Sequence, residues 1–282
     1  MPSLKAIKKR ITSVKSTQKI TRAMKLVSAA KLKRAQERAL QSRPFETQLQ
    51  DMVSTILVDA KWSSPLLETR EMKRLGIVVY TTDRGLAGSL NANVLKAVMR
   101  RVQELAGVEV EIVSLGKKGA DFLRRRGFKI HSQYSNLVRE GNPERLASIS
   151  KEVRGLFTSK HFDRLEVFFP KFQSAISQKP TQHLLLPFEK TAAKEASLAL
   201  FEPQGPELLD TLVPMLLDFQ FYRFLLETIA CEHAARMAAM ESATKNSKEM
   251  IERLTLERNR ARQAVITKEL MEIIGGAEAI SA

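Results

Sequence analysis

An apolar repeat of alternating four- and three-residue steps runs through the last quarter of the chain. The repeat passes through Leu212, Leu216, Phe219, Arg223, Leu226, Ala230, His233, Met237, Met240, Thr244, Ser247, Ile251, Leu254, Arg258, Ala261 and Val265. Such spacing places one narrow seam on a helix and requires a second helix to cover it. No Pro or Gly occurs between Met215 and Ile274, and a helix of that span would be roughly 90 Å long. The sequence therefore predicts a coiled-coil helix too long for a compact domain.

A second long helix is predicted over Ser3–Arg43, with the seam residues Leu4, Ile7, Ile11 and Val14, a slip, and then Ile20, Met24, Val27 and Ala30. Between Lys5 and Arg43 there are eight Lys and five Arg against the single acid Glu37, a net charge of +12. Residues 207–274 hold nine basic and eleven acidic residues, a net charge of −2. Opposite charge favours antiparallel pairing of the two helices. The large excess on the first helix also predicts an acidic surface on a partner.

Short β-branched runs alternate with helical patterns between the two long helices. The predicted strands are Gly76–Thr81, Val108–Leu115, Phe128–His131, Leu165–Phe169 and Leu184–Phe188, and the predicted helices are Ser89–Glu104, Ala120–Arg126 and Pro143–Ser159. This alternation predicts a Rossmann-like, mostly parallel α/β domain. We expect an N-terminal shaft helix at 1–60, a linker and inserted α/β domain at 61–206, and a C-terminal shaft helix at 207–282. Pro44 and Pro214 are expected to bend the long helices.

Net charge and cysteine content indicate which kind of partner the chain binds and in which cellular compartment it lies. The net charge is +15 and the isoelectric point is near 10.0, which indicates nucleic acid, an anionic membrane surface or an acidic protein as the partner. No apolar run approaches the length of a membrane span, and the charged N-terminus is unlike a secretion signal. The single cysteine, Cys231, fits a reducing compartment. These features predict a bacterial cytoplasmic protein.

Motifs for chemistry are weak. Thr82–Gly88 follows a strand where a nucleotide fold would bind phosphate, but it matches neither the dinucleotide nor the phosphate-loop pattern. The histidines are dispersed without metal-ligand spacing, and Cys231 has no second cysteine or evident base nearby. We therefore predict no catalytic residue, no metal and no cofactor. The seam turns polar at Thr244–Ser247, which suits a helix that meets changing partner surfaces better than a permanently buried dimer seam.

Several motifs resemble the gamma subunits of F-type ATP synthases. They are the segments 11–32, 232–240, 259–269 and 274–277, the loop Thr82–Leu86 with Gly88 and Asn91, and Phe201–Pro203. The chain departs from the family pattern at Ala87, where Cys is frequent, at Cys231, usually Ser, at Lys245–Ser247 and at Arg258. The resemblance spans the chain in the family's order.

The resemblance implies a central rotor shaft that couples ion flow to ATP synthesis on partner subunits, with no catalytic site of its own. The implied partners are the alpha and beta subunits of the catalytic hexamer, the epsilon subunit and the membrane c-ring. The implied location is the cytoplasmic side of the bacterial inner membrane, as a peripheral protein. By position, the resemblance assigns coupling contacts to Met24, Arg236, Arg262, Gln263 and Thr267.

Two other classes of protein remain open from the residues alone. A coiled-coil nucleic-acid binder would explain the positive charge, although the basic helix carries no aromatic residue for base stacking. An enzyme with a helical arm is the other alternative, and saturable nucleotide binding by the isolated chain would support it.

Overall fold

The computed structural model describes residues 3–57, 64–105, 107–137, 142–188 and 206–281. Residues 61–63 of the expected linker, the loop before Pro206 and the motif Phe201–Pro203 lie outside the described residues. The contacts divide the chain into two units, Met1–Ser28 with Met237–Ala282, and Ala29–Arg236. Among the described residues, no helix combines the length and the apolar character needed to cross a membrane.

The chain begins and ends with a long helix, and an α/β segment lies between the two in the sequence. Helix α1 is Leu4–Leu57 and the last helix, α5, is Pro206–Ser281. The strands are β1 (Arg74–Tyr80), β2 (Glu109–Leu115), β3 (Lys129–Tyr134), β4 (Arg164–Phe172) and β5 (Gln178–Leu186). The shorter helices are α2 (Leu90–Gln103), α3 (Lys117–Arg125) and α4 (Pro143–Thr158). Both long helices continue through their internal prolines, Pro44 and Pro214.

The five strands form one sheet in the order β3-β2-β1-β4-β5. The pairs β1–β2, β1–β4 and β2–β3 are parallel, and β4–β5 is antiparallel. The predicted mostly parallel, Rossmann-like sheet is therefore confirmed. The strand order reverses direction between β1 and β4, which is the switch point where doubly wound folds bind ligands.

Each face of the sheet is covered, which explains why β1 is buried from Leu75 to Tyr80 rather than alternating. One face packs on α2 and α3 through Val94, Leu95, Val98 and Leu123. The other face packs on α4 and on parts of both long helices, which contribute Leu49, Val53, Ile56, Leu209, Val213, Leu216, Leu217, Phe221, Phe224 and Leu225. The long helices therefore begin or end inside the core of the α/β unit.

Polar contacts fix α5 within this core. The hydroxyl of Tyr80 donates to the carbonyl of Phe221 over 3.0 Å, and burial raises the pKa of Tyr80 well above its usual value. Arg223 pairs with Glu46 of α1 over 2.8 Å. Arg154 of α4 contacts the carboxylate of Asp218 and donates to the carbonyl of Pro214. Because buried polar groups are costly when unpaired, these contacts select one rotational setting of α5 on the sheet.

Candidate functional site

The first unit is an antiparallel pair of helices. Ile7 and Ile11 near the start of α1 pack on Leu254, whereas Thr21 and Lys25 contact Thr244 and Glu241. Since residue numbers rise on α1 as they fall on α5, the helices run in opposite directions. We call residues 4–28 and 237–261 the helical pair.

Burial along α5 confirms the predicted apolar repeat within the helical pair. Met240 and Leu254 are buried, and the repeat positions Thr244, Ser247, Ile251, Arg258 and Ala261 are half-buried. Charged residues between them, such as Glu252 and Arg253, are exposed. Val265, the last predicted position, is 42% exposed.

The predicted slip in the seam of α1 is wrong. After Ile7, Ile11 and Val14, the repeat of less exposed positions continues through Gln18, Thr21, Lys25 and Ser28 with no change of spacing, and Met24 beside it is half-buried. Of the residues assigned to the shifted seam, Ile20, Val27 and Ala30 are exposed, Ile20 to 59% and Val27 to 56%, and Met24 is half-buried. Two of these polar seam residues, Thr21 and Lys25, have hydrogen-bond partners on α5.

The polar residues of the seam are paired with one another across the two helices. The hydroxyl oxygens of Thr21 and Thr244 lie 2.8 Å apart, and the Lys25 ammonium lies 2.5 Å from the Glu241 carboxylate. Thr244 and Ser247 also donate to carbonyls of their own helix, at Met240 and Ala243. The polar seam is thus satisfied within the helical pair and does not require an external group.

Between residues 262 and 277, α5 has no face covered by the rest of the described chain. All residues from 262 to 277 are exposed; we call this segment the α5 tip. Its exposed apolar side chains are Val265, Ile266, Leu270, Met271, Ile273 and Ile274, with exposed fractions from 42% to 68%. A soluble surface rarely carries so many large apolar groups on adjacent turns unless a partner covers them.

The structure separates the five residues assigned to coupling. Arg262, Gln263 and Thr267 lie together on the α5 tip, where all three are exposed. Met24 is half-buried on α1 within the helical pair. Arg236 belongs to the α/β unit, where it pairs with Glu232 at 2.5 Å and lies 3.4 Å from the carbonyl of Gly85.

The basic residues of α1 remain largely unpaired by α5. Lys5, Lys8, Lys9, Arg10, Lys15, Lys19, Arg22, Lys31, Lys33, Arg34 and Arg38 are exposed. Within the described residues, Lys25–Glu241 is the ion pair that joins α1 to the acidic side chains of the helical pair. The positive face of α1 is therefore available to an acidic partner.

The carboxyl edge of the sheet is organised around the loop Thr82–Gly88. Asn91 accepts from the backbone of Thr82 and donates to its hydroxyl, over 3.0 and 2.7 Å. The Asp83 carboxylate accepts from the backbone N–H groups of Lys117 and Asn136, over 3.0 and 2.8 Å. Leu86 and Gly88 have positive φ angles of 63° and 56°. The loop is held by its own polar residues, and the side chain of Leu86 is left 64% exposed.

Helix α5 packs beside this loop. The Glu227 carboxylate accepts from the backbone of Phe172 over 2.8 Å, and the Cys231 thiol donates to the carbonyl of Pro170 over 3.3 Å. Ala87, Leu90, Cys231 and Ala235 form a buried cluster. Burial, together with the nearby Glu227 carboxylate, raises the pKa of the Cys231 thiol. Two positions that depart from the family pattern, Ala87 and Cys231, are thus packed in one cluster.

Sequence reasoning also missed a cluster at the other end of the strands. His131 and His161, which are thirty positions apart in the chain, both contact the carboxylate of Glu111. Their spacing along the chain matches no metal motif. The cluster could have been found only by combining the parallel strand order with the turn that precedes β4.

The fold and the helical pair define a class of protein in which the two chain ends form antiparallel helices and the middle forms a Rossmann-like sheet. A family model described as ATP synthase matches residues 3–280. The ATP synthase gamma chain of Heliobacterium modesticaldum is 43% identical, over 99% of this chain and 100% of the relative. The gamma chain of Geobacter metallireducens is 45% identical, over 99% of each.

Solved structures agree with this comparison. The central stalk and c-ring structure of the Tetrahymena thermophila mitochondrial ATP synthase contains a chain with a TM-score of 0.61 and 26% identity, over 79% of this chain and 99% of that one. A chain of the Euglena gracilis mitochondrial ATP synthase has a TM-score of 0.76 over 98% of this chain and 94% of its own length, at 21% identity, and shows the shared fold. The chain belongs to the ATP synthase gamma chain family.

Proposed function

We propose that this chain is the central-stalk rotor subunit of an F-type ATP synthase, coupling transmembrane ion flow to ATP synthesis and hydrolysis on partner subunits. Full-length similarity to gamma chains supports the assignment to that complex. The observation that carries the mechanism is the α5 tip, where every side chain of residues 262–277 is exposed. A helix end with six exposed large apolar residues is suited to turn inside a surrounding partner surface.

The coupling follows from unequal sides of the helical pair. A shaft can bias a catalytic subunit only if it contacts two states of that subunit differently. Here the α1 side carries exposed basic residues together with the exposed apolar residues Ile20, Leu26 and Val27, whereas the α5 side carries exposed acids such as Glu249 and Glu252. As such a shaft turns, each catalytic subunit meets a different surface, and its preference for nucleotide states changes with the angle.

The basic face of α1 is proposed to meet acidic segments of the alpha and beta subunits. Charge complementarity of this kind speeds association and sets orientation more than it adds affinity. Because exposed charges are screened within about 10 Å at 0.1 M salt, the interaction can guide assembly and still permit rotation.

The α/β unit is proposed to contact the epsilon subunit and the membrane c-ring, with the chain held peripherally on the cytoplasmic side of the bacterial inner membrane. We propose no catalytic site on the chain itself. At the carboxyl edge of the sheet, where this fold class binds nucleotides, Glu227 and Cys231 of α5 contact the backbone of β4, which supports placing the chemistry on other subunits.

Paired substitutions on the α5 tip test the coupling role. Arg262→Ala with Gln263→Ala should lower ATP synthesis in inverted membrane vesicles more than it lowers the amount of assembled complex. Arg100→Ala with Gln103→Ala is a matched control, since it removes the same residue types from an exposed part of α2. Wild-type synthesis by the tip variant, or equal losses in both variants, would contradict the proposed role of these residues.

A further inference from the structure

Three side chains of the α/β unit converge near the amino ends of the strands. Glu111 is the third residue of β2, His131 is the third residue of β3, and His161 lies in the turn between α4 and β4. One ligand atom from each of the three lies within 4.8 Å of the other two. None of the three belongs to the helical pair or to the loop Thr82–Gly88 at the carboxyl edge.

The backbone holds each of these residues in place. His131 is the extra residue at a register shift between β2 and β3, where Ile112 pairs with Ile130 and Val113 pairs with Ser132. Such bulges commonly redirect a side chain. The N–H of His161 donates to the carbonyl of Leu156 over 2.9 Å, which fixes the turn after α4.

Gly76 leaves the space that lets His161, the third residue of the cluster, approach Glu111. A Cβ added to Gly76 would lie 2.7 Å from the ring of Phe162. Because the glycine leaves this space open, Phe162 lies over β1 and its neighbour His161 reaches toward β2, where Gly76 pairs with Glu111. The rings of His131 and His161 have centroids 5.2 Å apart.

One carboxylate oxygen faces both imidazoles. Oε2 of Glu111 is 2.9 Å from Nδ1 of His131 and 3.2 Å from Nε2 of His161. Tetrahedral zinc with bonds of about 2.0–2.1 Å places its ligand atoms about 3.3 Å from one another. The two oxygen–nitrogen distances are therefore close to those of a metal site, and the two imidazole nitrogens lie within 4.8 Å of one another.

Charge and burial also suit a cation. The Glu111 side chain is 4% exposed, and the two histidine side chains are 26% and 35% exposed. The buried carboxylate thus faces solvent through the two imidazoles, which leaves a path of entry. The Lys129 ammonium contacts the other oxygen, Oε1, and also lies 3.5 Å from Glu109. With 63% of its side chain exposed, Lys129 can turn toward solvent when another cation arrives.

We propose that Glu111, His131 and His161 form a binding site for a divalent transition-metal cation of the Zn²⁺ type. Two imidazoles and one carboxylate are a ligand set that zinc prefers, with a fourth position left for water. Binding requires each neutral imidazole to carry its hydrogen on the nitrogen away from the metal. The cation would link the edge strand β3 to β2 and to the turn before β4. This site is independent of the proposed rotor function.

The test is a titration of the purified full-length chain with Zn²⁺ against a chromophoric chelator. We expect one Zn²⁺ per chain, and Co²⁺ in its place should give the intense visible absorption of tetrahedral coordination. His131→Gln and His161→Gln should each weaken Zn²⁺ binding at least about tenfold, a loss that outer-shell changes alone already produce. His233→Gln removes a histidine outside the cluster and should leave the affinity unchanged.

A variant that keeps Glu111, His131 and His161 provides a test that does not depend on the folding of the histidine variants. Lys129→Gln removes the ammonium beside Glu111 and should tighten Zn²⁺ binding, because like charges repel at this distance. Absence of saturable one-to-one binding by the wild type would overturn the proposal and leave a hydrogen-bonded cluster only. Equal Zn²⁺ affinities of the wild type and of the His131→Gln and His161→Gln variants would also overturn it.

Discussion

Among the described glycines, Gly116 is the one at which an added Cβ would meet the closest contact. It begins the turn into α3 with a φ angle of 121°, and a Cβ there would lie 2.2 Å from the carbonyl oxygen of Thr81. That oxygen belongs to backbone at the end of β1, so a flexible side chain cannot move aside to relieve the overlap. Any larger residue must displace either β1 or α3.

Gly116→Ala should therefore destabilise the α/β unit by about 2–5 kcal/mol, the sum of backbone strain and overpacking. Gly155→Ala is the matched control, because Gly155 lies exposed in α4 and a Cβ added there would have no other group within 4 Å. The control should be neutral or stabilising by up to about 1 kcal/mol. Urea unfolding followed by circular dichroism measures both, and equal midpoints would show that the turn is not constrained as described.

His183 gives the α/β unit a pH dependence. Burial, with the nearby Arg223 charge, lowers the pKa of His183 to about 4, and its ring lies 5.4 Å from that of Phe224. The unfolded chain titrates near the usual value of 6.5. Between these two values the unfolded state binds more protons, so stability falls as the pH falls from about 6.5 toward 4.

His183→Asn should flatten this part of the stability profile, since it removes the group that must be kept neutral. The measurement is the free energy of unfolding from pH 7 to pH 4 for both proteins. A steeper fall for the wild type is expected. Parallel curves would mean that His183 titrates alike in the folded and unfolded chains.

At the scale of elements, the antiparallel register of the helical pair is the feature on which the shaft depends. The hydroxyls of Thr21 and Thr244 are 2.8 Å apart, so cysteines at these positions come within reach of disulfide geometry. Thr21→Cys with Thr244→Cys should form an intrachain disulfide under mild oxidation, seen as a mobility change on a non-reducing gel.

Ile20→Cys with Thr244→Cys is the control for that cross-link. Ile20 is 59% exposed, so its side chain points away from the seam, and this pair should remain reduced. The opposite result, with cross-linking through position 20 and none through position 21, would restore the shifted seam and refute the register seen here.

The buried face of α5 could be predicted from the sequence, whereas part of the buried face of α1 could not. On α5 the apolar period alone predicted the buried face, because Met240 and Leu254 recur at the right spacing. On α1 the same reasoning followed Ile20 and Val27 out of the seam, since it assumed that apolar residues are covered. Thr21 occupies the seam because its hydroxyl meets Thr244, and a contact across 223 positions is not visible in local periodicity.

The Glu111 cluster lay beyond sequence reasoning for a similar reason. The strand pattern predicted β2, β3 and a mostly parallel sheet, but neither which strands are neighbours nor the bulge that shifts the register at His131. Nor did it predict that Gly76 would admit Phe162 and bring His161 close. The tip residues Arg262, Gln263 and Thr267 were placed by family resemblance, and their role in coupling stays a prediction.

At the scale of the whole molecule, the charged residues and the exposed apolar residues of the two long helices are concentrated in different segments. The basic residues of α1 carry most of the net charge of +15, whereas the α5 tip carries exposed apolar groups. The charged face is suited to orient assembly, and the tip is suited to a close-fitting surface that must slide. Both features are explained if the chain turns within its partners.

Direct observation of rotation tests this account most plainly. Cys231 is buried and its thiol has a raised pKa, so Ile176→Cys, at a position 91% exposed, provides a selectively reactive thiol on the α/β unit. A bead attached there, on a complex whose catalytic subunits are fixed to glass, should turn in one direction when ATP is supplied. A bead that stays at a fixed angle while the same complexes hydrolyse ATP would show that this chain does not rotate against the catalytic subunits.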